Sequence, residues 1–352
     1  MGRESTAASR GASARGGGSA ASPTGGSVES PDQGVRHDDT SVWGGPRDLC
    51  GIRLPHPIVN ASGTFDAIAA RRAFGDALLS RFPFAAFVSK TVTLEPREGN
   101  PPPRLWELAG GMINSIGLPN KGLAGYLAHD LPQLAELPVP LIVNVMGFSR
   151  EQVAVLVAAF GECEEVAALE LNVSCPNVKT GMVMGADPGE TAALLDAVRP
   201  LTAKPLIVKL TPNCTSPAAV AAAAEAHGAD AVSLINTLRG MAFDPCRPGV
   251  PWLGGGTGGV SGPAVRAIAL AQVAEVRARV AIPIVGMGGV QTGRHAHDLL
   301  QAGADVVAVG TESFRDPMAG ARVAAELAES LANSGIAPRA HTLDREPIAH
   351  DA

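Results

Sequence analysis

Eight short apolar runs recur along the chain, and an alanine-rich stretch with apolar residues at helical spacing follows most of them. The runs cover residues 57–62, 87–91, 141–145, 168–172, 206–210, 231–236, 283–286 and 306–311. They are continuous rather than alternating, which is typical of strands in a parallel sheet that is buried on both faces. Helical patterns such as 150–162 and 216–228 lie between them. The chain is therefore predicted to be an α/β protein built from βα units.

Eight such units over about 280 residues are the size of a (β/α)8 TIM barrel. The alternative is a doubly wound open sheet, but no GxGxxG follows the first strand. We expect the barrel to occupy residues 46–335. Residues 1–45 are rich in Gly, Ala and Ser and contain almost no large apolar residue, so they are predicted to be a disordered tail. Residues 336–352 are predicted to be a C-terminal tail.

Charge and cysteine usage exclude several function classes. The net charge is −6 and there is no basic block, which argues against a nucleic-acid partner. No apolar run approaches the roughly 20 residues of a membrane-spanning helix. The five cysteines are scattered and lack zinc-ligand spacing. We expect free thiols in a reducing cytoplasm and a small-molecule ligand.

Polar residues and glycines stand at the carboxyl ends of the predicted strands, which in a barrel converge on the active site. They are Ser62, Lys90, Thr91, Asn144, Asn172, Lys209, Asn236, Thr237, Gly288, Gly289, Gly310 and Thr311. For any one of them the plain alternative is a polar residue that ends a strand. Two lysines and three asparagines at equivalent points indicate a binding site.

The glycine-rich segments 254–263, 284–293 and 308–313 indicate a phosphorylated ligand. Glycine lets backbone N–H groups approach an anion closely, and barrels commonly bind phosphate after their last two strands. Lys90 and Lys209 favour a flavin, whose ring becomes anionic when it takes up a hydride. A phosphosugar enzyme would more often place an acidic base at a strand end. Glu170 alone is close to one, on the same strand face as Asn172, where a buried pairing role is the alternative.

The stretch ELNVSCPNVKTG (170–181) places Cys175 three residues past the end of the fourth predicted strand. A thiol of pKa near 8.5 can remove a weakly acidic carbon-bound proton when it is well placed. The plain alternative is a buried structural thiol. Because planar amides suit a cyclic amide or imide, Asn172 and Asn177 on either side favour a base.

Several segments along the chain form a set whose order is informative. They are PIVNASGTF (57–65), residues 87–107, GGMINSIGLPNKG (110–122), residues 170–181, PLIVKLTPN (205–213), residues 231–244, TGGVSGP (257–263) and IPIVGMGGVQTG (282–293). Together these segments resemble the class 1 dihydroorotate dehydrogenases. The resemblance covers nearly all of the chain from Gly51 to about Leu331. It implies an FMN-binding (β/α)8 barrel that oxidises (S)-dihydroorotate to orotate in pyrimidine synthesis.

The resemblance also implies roles for individual residues. Cys175 matches the base that takes the C5 proton while the C6 hydride passes to flavin N5; class 2 members have a serine there. The implied substrate contacts are Lys90, Asn114, Ser115, Ile116, Gly117, Leu118, Asn172, Asn177, Asn236 and Thr237. The implied FMN contacts are Ser62, Lys90, Thr91, Asn144, Asn172, Lys209, Ile235, Gly262, Gly288, Gly289, Gly310 and Thr311.

Within class 1, TLEPREGNPPPR (93–104) and TGGVSGP resemble the 1B branch more than the fumarate-using 1A branch. That branch pairs such a chain with an electron-transfer subunit that carries FAD and a [2Fe–2S] cluster and reduces NAD⁺. The five scattered cysteines of this chain do not have ferredoxin spacing. A homodimer or a heterotetramer is implied. Residues 66–75 and the loop after Lys179 depart from the family pattern.

Three alternative functions fit some of the same residues. An FMN barrel similar to the flavin domain of dihydropyrimidine dehydrogenase would share the cysteine and the phosphate loops. A non-redox, phosphate-binding barrel enzyme would share the phosphate loops alone and would be colourless. A catalytically silent subunit would bind FMN without being reduced by substrate.

Overall fold

A computed structural model describes residues 45–174 and 185–334. The strands are β1 (Arg47–Leu49), β2 (Ile52–Leu54), β3 (Ile58–Asn60), β4 (Phe87–Val88), β5 (Leu105–Leu108), β6 (Gly111–Asn114), β7 (Leu141–Val145), β8 (Val166–Asn172), β9 (Leu206–Lys209), β10 (Ala231–Leu234), β11 (Leu238–Gly240), β12 (Gly258–Ser261), β13 (Ile284–Met287) and β14 (Val306–Val309). The α-helices are α1 (Ala67–Phe74), α2 (Ala77–Ser80), α3 (Gly122–Gly125), α4 (Leu131–Leu134), α5 (Arg150–Gly161), α6 (Pro188–Val198), α7 (Pro217–Ala226), α8 (Arg266–Arg277), α9 (Gly293–Ala302) and α10 (Ala319–Ser334).

Eight parallel strands form a barrel in chain order, which confirms the predicted fold. Each of the eight predicted runs overlaps one of its strands, and the sheet order is β3-β14-β13-β10-β9-β8-β7-β4. The open-sheet alternative is wrong, because a doubly wound sheet reverses its strand order partway across. The first and last strands of the order, β3 and β4, lie side by side.

Asn60 joins the two sides of the barrel where β3 meets β4. Its side-chain amide donates to the Val88 carbonyl at 2.7 Å, and its Oδ1 accepts from the Val88 N–H at 2.8 Å. The Ala85 N–H donates to the Ile58 carbonyl at 2.9 Å. Asn60 is fully buried. A side chain therefore supplies part of the ladder that closes the barrel.

Several outer helices begin next to a residue whose side chain caps the first turn. Ser149 accepts from Gln152 N–H at the start of α5, and Ser216 and Thr292 cap α7 and α9 in the same way. Such caps satisfy N–H groups that lack a partner inside the helix. The helical patterns predicted at 150–162 and 216–228 are confirmed as α5 and α7. No helix within the described ranges is long and apolar enough to cross a membrane.

An antiparallel hairpin of β1 and β2 closes the amino-terminal end of the barrel. Leu49 and Leu54 are fully buried and pack with the apolar side chains of the barrel interior. The Cys50 thiol donates to the Asp230 carbonyl, just before β10, at 3.2 Å. This hairpin therefore covers the amino-terminal end of the barrel interior.

A second, antiparallel sheet stands at the carboxyl end of the barrel, in the order β11-β12-β6-β5. Strands β5 and β6 belong to the segment between β4 and β7, and β11 and β12 belong to the segment between β10 and β13. The sheet thus joins two βα loops that are far apart in sequence. These four strands were not predicted from the sequence. The predicted tails lie almost entirely outside the described residues and remain predictions.

Candidate active site

A layer of polar side chains crosses the interior of the barrel near its carboxyl end. Asn144, Glu170, Lys209 and Ser233 each stand two residues after an apolar residue of the interior cluster, on four consecutive strands. Because side chains alternate across a strand, all four point into the barrel. All four are buried. Buried polar groups in such a position require partners, which the four side chains largely supply to one another.

Glu170 is the centre of this layer. Its two carboxylate oxygens accept hydrogen bonds from Ser233 Oγ, at 2.7 Å, and from Asn144 Nδ2. The Lys209 ammonium lies 3.8 Å from Glu170 Oε2. The buried pairing role of Glu170, which the sequence left open as an alternative, is therefore confirmed. Glu170 is not free to act as a base, because its oxygens accept two hydrogen bonds and it forms an ion pair with Lys209.

Asn144 keeps one unused acceptor in this layer. Its Oδ1 is buried and has no hydrogen-bond partner among the described residues. An unmatched buried acceptor is costly, so it indicates a donor that the ligand brings. The N–H edge of a planar heterocycle is such a donor. With the Lys209 ammonium close by, the layer suits a flat ring that carries both an N–H group and negative charge.

Three glycine segments meet near this layer, directly after β12, β13 and β14. We refer to residues 288–293 as the first glycine loop and to residues 310–316 as the second glycine loop. A Cβ added to Gly289 would lie 3.0 Å from the Gly262 carbonyl oxygen, and one added to Gly262 would lie 3.6 Å from Thr311 Cγ2. Thr311 Oγ1 donates to Ser261 Oγ at 2.9 Å. Backbone N–H groups of the three segments can thus converge on one anion.

Gly288 and Gly310 connect this glycine cluster to the barrel. A Cβ on Gly288 would lie 3.3 Å from the Ile235 side chain, and one on Gly310 would lie 3.5 Å from Ala61 Cβ. Ile235 is buried, and its N–H donates to the Met287 carbonyl at 2.9 Å. The predicted phosphate residues are therefore close to one another and to the strand ends.

Lys90 lies at the opening of the barrel, next to the first βα loop. A Cβ on Gly63 would lie 3.4 Å from Lys90 Nζ. The Lys90 side chain is accessible to solvent, yet the protein surrounding it on several sides disfavours its charged form and lowers its pKa. Thr91 follows Lys90 in the chain, and Ser62 Oγ donates to the carbonyl of the preceding residue, Ser89, at 2.7 Å.

The second sheet holds the predicted substrate residues Asn114 and Thr237 against the same glycine. Asn114 Nδ2 donates to the Gly259 carbonyl at 3.3 Å. A Cβ added to Gly259 would lie 2.0 Å from Thr237 Oγ1, so the two residues are in direct contact. Asn236 Nδ2 donates to Asn172 Oδ1 at 3.4 Å, which links Thr237's neighbour to the end of β8. The structure thus brings together amide groups from three separate strands.

The segment from Ser115 to Leu118 is shaped by residues that the sequence analysis did not single out. Asn100 donates to Ser115 Oγ at 2.9 Å, and a Cβ on Gly117, whose φ is +78°, would lie 2.4 Å from the Asn100 backbone nitrogen. Asn120 Nδ2 donates to the Leu118 carbonyl at 2.9 Å. Ile116 lies between these fixed points. The sequence signal for Asn100 and Asn120 is an asparagine close to a glycine turn. Such a signal does not show which residue the asparagine side chain will contact.

Asn213 has a similar role on the other side of the opening. Its Nδ2 donates to the Thr237 carbonyl at 2.9 Å, and its Oδ1 accepts from the Arg239 N–H at 2.8 Å. It thereby fixes the entry into β11. Asn213 is the last residue of PLIVKLTPN (205–213), a stretch in which only Lys209 was predicted to be a site residue.

Cys175 and Asn177 lie outside the described residues, so their predicted roles remain predictions. The chain is well positioned just before them. Ser174 Oγ donates to the Lys209 carbonyl at 2.9 Å, and Asn172 Oδ1 accepts from the Ser174 N–H at 3.3 Å. Cys175 directly follows a residue that is anchored beside the polar layer.

Three of the other cysteines are poor bases. Burial raises the pKa of the Cys50 thiol to about 12. Burial also raises the pKa of Cys163 and of Cys214. These thiols are therefore protonated at neutral pH. Within the described ranges there is also no cluster of His, Cys, Asp and Glu that could hold a metal ion.

Comparison with known proteins identifies a single family. The model of the dihydroorotate dehydrogenase family matches residues 47–331. The catalytic subunit of dihydroorotate dehydrogenase B (NAD(+)) from Geobacter sp. strain M21 is 43% identical over 289 residues, covering 82% of this chain and 93% of that protein. The protein of the same name from Geobacter sulfurreducens is 44% identical over 294 residues, covering 82% and 94%.

A solved structure confirms the fold independently. The crystal structure of the dihydroorotate dehydrogenase of Eimeria tenella in complex with ferulenol superimposes with a TM-score of 0.67. It covers 86% of this chain and 88% of that chain at 22% identity. At this identity the likeness concerns the barrel and not the ligands.

Proposed function

The chain belongs to the dihydroorotate dehydrogenase family, and we propose that it is an FMN-dependent catalytic subunit that oxidises (S)-dihydroorotate to orotate in de novo pyrimidine synthesis. The observation that carries this proposal is the family match over residues 47–331, which span the whole barrel. The polar layer, the glycine loops and the Lys90 ammonium all lie at the carboxyl end of that barrel, as the activity requires.

The site residues fit FMN. The unpartnered Asn144 Oδ1 provides an acceptor for a ring N–H, and the Lys209 ammonium provides positive charge beside it. Gly262 and the two glycine loops would hold the phosphate. The remaining residues that we assign to FMN are Ser62, Lys90, Thr91, Asn172 and Ile235. When bound, FMN supplies the acceptor for the hydride that leaves C6 of the substrate.

Lys209 stabilises the negative charge that this reaction places on its acceptor. The ammonium is buried, with only 6% of its side chain exposed. In such a water-poor site a fixed positive charge acts more strongly than it would in water. Glu170 holds the ammonium in place but also offsets part of its charge. Glu170 therefore orients the Lys209 ammonium, and Lys209 acts on the ligand through its own charge.

The substrate residues form a cradle of amides and one ammonium. Asn114, Asn172, Asn177, Asn236 and Thr237 would satisfy the donors and acceptors of the pyrimidine ring. Ser115, Ile116, Gly117 and Leu118 would cover it. Lys90 at the mouth would pair with the substrate carboxylate, which favours the charged form of a lysine whose pKa burial has lowered.

Cys175 would act as the base. Its thiolate takes the C5 proton while the hydride departs from C6, and the C5–C6 bond becomes a double bond. The other thiols whose pKa burial raises do not compete for this role. A placed base typically contributes a rate factor of about 10²–10⁴.

The electrons would leave through a second protein. The relatives are named as the catalytic subunits of NAD(+)-linked enzymes, a name that implies a further subunit. We propose that this partner carries FAD and a [2Fe–2S] cluster, passes electrons to NAD⁺, and joins the chain in a heterotetramer around a homodimer.

Anaerobic mixing of the purified protein with dihydroorotate tests the proposal. Bleaching of the flavin absorbance should occur with dihydroorotate but not with dihydrouracil, because only the former carries a carboxylate for Lys90. Reoxidation by NAD⁺ should require the partner subunit, whereas fumarate and quinone should be ineffective. A colourless protein that takes up no FMN would overturn the proposal, and bleaching by dihydrouracil would favour a dihydropyrimidine dehydrogenase activity.

A further inference from the structure

Arg322, on α10, lies between the two glycine loops and bonds to both. Its Nη1 donates to the Gln291 carbonyl at 2.9 Å, in the first loop. Its Nη2 lies 3.3 Å from Glu312 Oε1, and its Nε lies 3.0 Å from Asp316 Oδ2, both in the second loop. Nη1 also lies 3.1 Å from Glu326 Oε1. One guanidinium therefore spans two segments that come from different βα units.

Two further contacts reinforce this connection. Gln291 Nε2 donates to Glu312 Oε2 at 3.1 Å, which links the loops directly. Glu326 Oε2 accepts from the Gly293 N–H at 2.8 Å, so α10 also caps the start of α9. A Cβ on Gly293 would lie 2.2 Å from the Leu327 backbone nitrogen, which shows how closely α10 approaches the first loop.

The charges around Arg322 matter for an anionic ligand. Glu312 and Asp316 follow the glycine that is expected to face a phosphate, and their carboxylates would repel a dianion. The Arg322 guanidinium lies between these carboxylates and neutralises part of their charge. It does so from a half-buried position, with 36% of its side chain exposed, where screening by solvent is reduced.

We propose that Arg322 is a positioning residue for the phosphate end of the cofactor, an inference that rests on the proposed function for the identity of that cofactor. Its planar fork keeps the backbone N–H groups of the two glycine loops in register, as a lysine could not, because lysine presents a single point charge. Its charge keeps Glu312 and Asp316 from opposing the dianion. Arg322 itself does not touch the reacting atoms.

Titration of the apoprotein with FMN and with riboflavin, followed by flavin fluorescence, tests this inference. Riboflavin has the same ring but no phosphate. Arg322→Gln should weaken FMN binding about tenfold, the scale of one charge-assisted bond network, and leave riboflavin binding within about twofold. Arg322→Lys should recover part of the loss, because it restores the charge without the fork.

A matched control is available at the opposite end of the barrel. Arg199 binds Asp230 at 2.6 Å and the Lys204 carbonyl at 2.8 Å, and it is similarly half-buried. Arg199→Gln should lower the melting temperature without changing the ratio of the FMN and riboflavin affinities. This control shows what a general loss of stability does to the two affinities.

The inference is overturned if Arg322→Gln leaves FMN affinity unchanged or weakens both flavins equally. If Arg322→Gln does not fold, the same titrations are made with Arg322→Lys. The inference is then overturned if Arg322→Lys weakens the binding of FMN and of riboflavin equally. If the wild-type protein binds neither flavin, the proposed function fails instead.

Discussion

The ammonium of Lys209 lies 3.8 Å from the carboxylate of Glu170 inside the barrel, and only 6% and 4% of these side chains are exposed. Removing two charges from water is expensive, and a buried ion pair is weak evidence of stability for that reason. Hydrogen bonds from Asn144 and Ser233 complete the environment of Glu170. The ion pair is thus fixed in position, and its positive charge is placed to interact with an anionic ligand.

Glu170→Gln should raise the midpoint potential of bound FMN. Without the carboxylate, the Lys209 ammonium is unopposed and favours the more negative, reduced ring. We expect a rise of roughly 30 mV, which for a two-electron couple is a tenfold change in equilibrium. Dye-coupled reductive titration measures it. Glu225→Gln is the control, because Glu225 accepts from the Ala281 and Ile282 N–H groups away from the polar layer. An unchanged or lower potential in Glu170→Gln would contradict this electrostatic role.

Cys175→Ser should slow flavin reduction by dihydroorotate at neutral pH by a factor of about 10²–10⁴, while FMN stays bound. A hydroxyl is a far weaker base than a thiolate, which accounts for the loss. Anaerobic stopped-flow absorbance measures the rate. Cys214→Ser is the matched control, since burial raises the pKa of Cys214 and its thiol donates to the Thr211 carbonyl. Wild-type reduction rates in Cys175→Ser would rule out the base.

Orotate affinity should fall as the pH rises through the pKa of Lys90. The protein around the ammonium disfavours its charged form and lowers this pKa, so the ammonium loses its proton at a lower pH than an ordinary lysine does. The charged form pairs with the orotate carboxylate and is present below that pKa, so affinity is highest there. The spectral shift of bound FMN on orotate binding gives the dissociation constant. Lys90→Arg, which stays charged throughout, should abolish the alkaline loss. A dissociation constant that is independent of pH in the wild type would contradict the pairing.

Gly289→Ala should sharply weaken FMN binding. The φ of Gly289 is +69°, and its added Cβ would lie 2.7 Å from Arg266 Cβ and 3.0 Å from the Gly262 carbonyl. The substitution therefore disturbs two of the converging segments as well as the backbone. Gly51→Ala, in the hairpin at the amino-terminal end of the barrel, is the control, because its φ is +84° but nothing lies within 4 Å of the added Cβ. Fluorescence titration compares the two, and equal FMN affinities would contradict the predicted convergence.

Asn60→Ala should destabilise the barrel by about 2–4 kcal/mol, since it leaves the buried N–H and carbonyl of Val88 without partners. Urea unfolding measures the change. Ser80→Ala, at an exposed site, should stay within about 0.5 kcal/mol of the wild type. A similarly small effect of Asn60→Ala would mean that the barrel closes without this side chain.

The periodic part of the fold was predictable from the sequence. Continuous apolar runs occur only where both faces of a strand are buried, and this requirement is local to each run. The eight runs therefore identified the barrel strands and their order. Alternation within 168–172 also placed Glu170 on the face of Asn172, because a strand reverses its side chains at every residue.

The second sheet was not predictable in the same way. Strand β12 has two glycines among its four residues and β6 has one, and the pairing of the two strands joins residues as far apart as Asn114 and Gly259. Neither segment carries a strand pattern of its own. Their register depends on contact between two distant loops, so only the folded chain decides it.

The sequence by itself determined which residue types stand at the strand ends, and hence that the site holds ammonium groups, amides and glycine loops. The tertiary structure decided which of them meet. Asn60 across the barrel seam, Glu170 with Lys209, and Arg322 between the glycine loops are contacts between separate βα units. A local pattern reflects the burial of its own segment, whereas the partner of a polar side chain depends on how the whole barrel closes.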